Sequence, residues 1–68
     1  MMKADEAKVH WNPEKKKWQV VIQVGAEVIK RWAAGPREAG EDTLRSAAVA
    51  TANDEGYELE SGRVTVER

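Results

Sequence analysis

Residues 18–34 read Trp18-Gln19-Val20-Val21-Ile22-Gln23-Val24-Gly25-Ala26-Glu27-Val28-Ile29-Lys30-Arg31-Trp32-Ala33-Ala34, and the fold turns on this stretch. Two runs rich in Val, Ile and Trp flank a Gly-Ala-Glu turn, the pattern of a β-hairpin. In the first run Trp18, Val20, Ile22 and Val24 alternate with Gln19, Val21 and Gln23, so that strand has one clear apolar face. The rest of the chain is expected to pack on or beside this hairpin.

Turn length decides which side chains share a face. A three-residue loop, Gly25-Ala26-Glu27, pairs Val24 with Val28, Ile22 with Lys30 and Val20 with Trp32. A two-residue loop, Gly25-Ala26, pairs Val24 with Glu27, Ile22 with Ile29 and Val20 with Arg31, and it exposes Trp32. A slip of one residue turns every side chain of a strand to the other face. Burial favours the three-residue loop, because its core face collects more large apolar groups and fewer charges.

Working outward, Val9-His10-Trp11 reads as the first strand and Pro13 stops it, since proline has no N–H for a ladder. Asn12 to Lys16 is a turn, and Lys17 leads into the hairpin. Three strands of an antiparallel meander are therefore expected. Gly35 to Gly40 carries the chain to a helix over residues 41–55, with Glu41 and Asp42 in its first turn, where the helix dipole favours acids. Leu44, Ala47, Ala48, Thr51 and Ala52 form its apolar stripe, Val49 lies off the stripe as an exposed apolar residue, and Gly56 is placed as the left-handed stop. Tyr57-Glu58-Leu59-Glu60 and Arg63-Val64-Thr65-Val66 alternate around Ser61-Gly62 and read as a second hairpin, with Leu59 against Val64 and Tyr57 against Val66. The last segment then adds a hairpin or a single strand to the main sheet. The expected fold class is α+β in the order βββαββ: a three-stranded antiparallel meander, one helix on one face, and a C-terminal strand or hairpin. Residues 1–7 read as a flexible tail and residues 8–68 as one domain.

The chain has 68 residues, no Cys and no Phe, so three Trp, one Tyr and the Val/Ile set must build the core. Scaling by length gives a stability of roughly 3–10 kcal/mol, so one buried Trp could decide whether the chain folds. Without Cys there is no disulfide, thiolate metal site or thiol nucleophile, which fits a reducing cytoplasm. No apolar run approaches the length of a membrane span, and residues 1–8 lack an apolar secretory segment. Residues 1–37 carry a net charge of +4 and residues 38–68 carry −5, for a net −1. Ordinary solubility and attraction between the halves account for this, and a basic sheet surface for an anionic partner is the sharper reading.

Together, Val9-x-Trp11-Asn12-Pro13, Trp18-x-Val20, Gly25-Ala26, Ala48-x-x-x-Ala52-x-x-x-Gly56-x-x-Leu59 and Gly62-Arg63-Val64 span most of the chain from Val9 onward. They resemble the small bacterial family known as domain of unknown function 2188. These motifs are structural punctuation. Lys30-Arg31-Trp32 is heavier and more basic than the family's third strand, and the Gly35–Gly40 connection is longer. The resemblance implies a compact sheet-plus-helix module and no assigned activity.

No arrangement of catalytic type emerges. His10 has no second His or Cys to complete a metal site, and Ser46 and Ser61 lack an activating base. Gly35-x-x-x-x-Gly40 has the glycine spacing of a phosphate loop, but Glu41 and Asp42 stand where that motif needs Lys and Ser/Thr. The expectation is a non-enzymatic chain with no cofactor and no metal. One binding signal is left: Lys15, Lys16, Lys17, Lys30 and Arg31 interleave with Trp11, Trp18 and Trp32. Basic side chains beside aromatic platforms on a sheet can hold single-stranded nucleic acid. The plainer reading, all three Trp in the core with the lysines solvating its rim, carries more weight on residue type alone. The expected partners are a nucleic acid at this basic rim or, alternatively, a protein or second copy paired at an exposed sheet edge, with no membrane.

Overall fold

The structure, a computed structural model, describes residues 2–67. Its elements run β1 (Met2–Lys3), β2 (Glu6–Asn12), β3 (Lys17–Val24), β4 (Glu27–Ala33), α1 (Glu41–Asp54), β5 (Tyr57–Glu58), a 3-10 turn (Ser61–Arg63) and β6 (Val64–Glu67). The class is α+β. A four-stranded mixed sheet has the order β4-β3-β2-β6, and β1 and β5 form a separate parallel pair. β2, β3 and β4 make the expected antiparallel meander.

The hairpin closes on two residues, not three. Val24 faces Glu27, Ile22 faces Ile29, Val20 faces Arg31 and Gln19 faces Trp32. Gly25 takes φ +59° while Ala26 has no positive φ, which fits a type II′ turn with glycine at its first central position. That turn matches the twist of the flanking strands, and it prevails over the burial preference for the longer loop. The charges it turns toward the helix side cost little, because β4 is an edge strand beyond the helix. Glu27 and Arg31 stay exposed there, and Arg31 forms an ion pair with Glu55 at the helix end.

The core lies between α1 and one face of β2, β3 and β6. Val9, Trp18, Val20, Ile22, Ala48 and Ala52 are fully buried, joined by Leu44, Leu59 and Val64. The helix buries mostly alanine, so its backbone can lie close to the sheet and leave room for the indole of Trp18. Trp11 packs edge-on against Trp18 with ring centroids 5.2 Å apart. The Trp18 Nε1–H donates to the carbonyl of Pro36 at 2.9 Å, which ties the sheet to the crossover leading into the helix. Val49 is half-buried against this core, not exposed: the contact surface of α1 is wider than its stripe of alanines. Gly56 takes φ +88° just past the helix, as expected of a left-handed stop.

Two further expectations are corrected. Residues 57–66 do not form a hairpin. Ser61–Arg63 coils into a 3-10 turn closed by Arg63 N–H to Glu60 O at 2.9 Å. Tyr57–Glu58 pairs with Met2–Lys3, and β6 pairs in parallel with β2, Ala7 facing Val64 and Val9 facing Val66. The crossover through α1 brings β6 alongside β2 in parallel and satisfies that edge. The segment expected to be a loose tail is built into the fold as far as it is described. Met2–Lys3 is a strand, Ala4 and Ala7 are buried, and Asp5 accepts the Gly25 N–H at 2.7 Å through Oδ2. Short alanines can be covered without the apolar periodicity that marks a strand in sequence.

Candidate nucleic-acid interface

The pairing register divides the sheet into two faces, since residues directly opposite one another point the same way. One face carries Ala7, Val9, Trp11, Trp18, Val20 and Ile22 toward the helix. The other faces solvent. Reading from β6 to β4, one row across it is Glu67, His10, Gln19 and Trp32, and the next is Thr65, Lys8, Val21 and Lys30. Asn12 and Lys17 stand at one end of the face, and Glu6, Gln23 and Val28 at the other.

Charge is unevenly spread over this open face. On the β2–β6 side, Glu67 pairs with Lys8 at 3.2 Å. His10 Nε2 lies 2.6 Å from Gln19 Oε1, within hydrogen-bond distance. A shallow depression running from there across β3 to β4 is lined by Glu6, Lys8, His10, Val21, Gln23, Val28 and Glu67, among others. Two carboxylates make that side unattractive to a phosphate. The β3–β4 side carries cations and an aromatic ring. Trp32 is 44% exposed, and the Lys15 ammonium sits over its indole, 5.5 Å from the ring centroid, in a cation–π contact. Lys30 lies two residues before Trp32 on the same face, and Lys17 lies on that face one strand inward.

The turn before β3 holds this arrangement in place. Asn12 Oδ1 accepts the N–H groups of Glu14 and Lys15, both at 3.0 Å, and the Lys16 N–H bonds to Asn12 O at 2.8 Å. Three successive lysines thereby arrive at one corner of the sheet, with Lys16 held at φ +54°. Lys15, Lys16, Lys17 and Lys30 are all exposed, and none is ion-paired to another described residue.

Four of the five cations singled out in the sequence therefore stand at one corner or on the adjoining open face, and Arg31 does not. It points to the helix side, where its guanidinium pairs with Glu55 and its Nη1–H donates to Lys30 O at 2.8 Å. The tryptophans divide as well: Trp11 and Trp18 belong to the core, and Trp32 alone stands out on the open face. Sequence reasoning missed His10 and Gln19, which share a row with Trp32. Their even spacing with Lys8 and Lys17 was the available signal, once Val9 and Trp18 were assigned to the core.

Among the described residues no cluster of three or more His, Asp or Glu could hold a metal ion, and no helix is long and apolar enough to cross a membrane. Comparison with protein-family models, with curated proteins and with solved structures finds no match.

Proposed function

We propose that this chain is a small non-enzymatic module that binds single-stranded nucleic acid on the β3–β4 side of its open sheet face. The observation carrying this reading is the exposed Trp32 indole flanked by Lys15, Lys17 and Lys30 on one face. A base stacked on an aromatic ring contributes about 1–3 kcal/mol, whatever the base, and nearby ammonium groups follow the phosphates. In an apolar pocket Trp32 would be core, and buried in ion pairs the lysines would be spent. Neither holds here. Arg31, engaged on the opposite face, is left out of the site.

Titration of the intrinsic tryptophan fluorescence with short single-stranded and duplex oligonucleotides at low salt tests this. Quenching by the single strand is expected, lost in Trp32→Ala and weakened by charge reversal at Lys17 and Lys30. Contacts from three lysines should give a log–log salt slope of about −2 on a single strand. No quenching at protein concentrations well above about 10⁻⁴ M, the weak non-specific range, would rule the reading out.

A second reading has its own support. β4 has β3 as its one neighbour in the sheet, so its outer edge is open to pairing with another strand.

A further inference from the structure

The open edge of β4 has a pattern of its own. Residues flanking a two-residue hairpin loop form a hydrogen-bonded pair, and bonded and non-bonded pairs alternate from there. Val24 and Glu27 flank the loop. Glu27, Ile29, Arg31 and Ala33 therefore bond inward to β3, while Val28, Lys30 and Trp32 turn their N–H and C=O groups outward. The Lys30 carbonyl agrees with this assignment, since the side chain of Arg31 has folded round to donate to it.

We infer that this edge pairs with the β4 edge of a second copy of the chain, antiparallel about a twofold axis through Ile29. The inference rests on the edge-pairing reading and names its partner and register. The register follows from charge. With the axis at Ile29, Glu27 of each copy faces Arg31 of the other, and Ile29 faces Ile29. Val28 and Lys30 of opposite copies then form the hydrogen-bonded pairs, using the backbone groups that point outward. Shifting the axis to Lys30 sets two ammonium groups directly opposite each other, and shifting it to Val28 sets Glu27 against Ile29 and loses both ion pairs. Like charges facing each other across a strand pair disfavour it, and opposite charges favour it.

Arg31 is suited to this seam. Its guanidinium has five N–H donors, enough to keep Glu55 while reaching Glu27 of the second copy. Its bond to the Lys30 carbonyl is released, and that carbonyl accepts the second copy's Val28 N–H instead. Val28, 53% exposed, is covered in part by the partner strand. The two sheets become one, with both Trp32 side chains on a single continuous face. A single strand pair is a small interface, so the dimer is weak and forms only at high protein concentration.

Sedimentation equilibrium from micromolar to millimolar protein, without nucleic acid, tests the pairing. Glu27→Arg alone and Arg31→Glu alone should each be monomeric, because their seams carry four like charges. Mixed in equal amounts they should recover the dimer, since each seam position then sets Arg against Glu. Should Arg31→Glu fail to fold by circular dichroism, Lys30→Pro serves in its place: it removes an outward N–H that β3 does not use, and it should also abolish the dimer. A native chain that stays monomeric throughout overturns both this inference and the edge reading. A dimer that Glu27→Arg leaves intact overturns the register at Ile29 and leaves edge pairing standing in another form.

Discussion

β3 and β4 are neighbours that each carry Val, Ile and a Trp, and the fates of these apolar residues differ. Trp18 in β3 is fully buried and hydrogen-bonded, whereas Trp32 in β4 is 44% exposed with a lysine over its ring. Val20 and Ile22 are fully buried, whereas Val28 is more than half exposed. β4 is the more charged of the two, yet the type of an apolar residue does not tell whether it is buried. Position does: α1 reaches across β2, β3 and β6, and β4 lies past its edge, joined to it at Arg31 and Glu55. A strand that a helix covers must sort its side chains by polarity, while an edge strand can be registered by its turn alone.

The largest expected effect comes from deleting the two indoles in turn. Trp18→Ala should destabilise by about 3–5 kcal/mol, comparable with the stability of a chain this size, and leaves the Pro36 carbonyl without its indole donor. Trp32→Ala should cost less than about 1 kcal/mol, as an exposed residue does. Urea titration followed by circular dichroism measures both, and equal losses would break the contrast between the strands.

Next comes the turn. Gly25→Ala forces a side chain into a positive-φ conformation and should cost about 1–3 kcal/mol. The exposure of Trp32 should change with it if the hairpin reverts to a longer loop, which a blue shift in tryptophan emission would report. An unaltered melting curve would mean that the turn does not set the register of β4.

Gly56→Ala acts on the covered side, where the helix stops at φ +88°. A loss of about 1 kcal/mol or slightly more is expected from the thermal midpoint, because Ala is strained there. The smallest effect has the opposite sign. Lys16 sits at φ +54°, a conformation costing a side chain about 1–2 kcal/mol, and glycine loses about 0.5–1 kcal/mol more backbone entropy on folding. Lys16→Gly should therefore stabilise by about 0.5 kcal/mol, and a lower melting temperature would contradict this.

The parts of the fold legible in the sequence are those on the covered side. The alternation from Trp18 to Val24, the alanine stripe of α1 and the stop at Gly56 all reflect burial or backbone geometry that one residue announces. The register of β4 was not legible by the same means. Counting apolar groups presumes that both strands of the hairpin are covered equally, and β4 is not. Its Gly25-Ala26 pair did carry the answer as a type II′ turn signal. The parallel pairings of β5 and β6 were hidden for another reason: alternation around Ser61-Gly62 fits a local hairpin, and nothing local says that the partners lie at the far end of the chain. At the candidate site, the clustering of lysines and the alternative positions of Trp32 could be read in advance. The departure of Arg31 to Glu55 followed only from the register.

Ala7 pairs with Val64, and Met2 with Tyr57. During folding, β2, β3 and β4 can pair as a meander whose contacts are local, and such contacts form fast. β2 keeps one edge bare until a strand 57 residues further along the chain closes it. Until then the partly folded chain exposes a strand edge at Ala7 and Val9, the kind of surface through which folding intermediates aggregate.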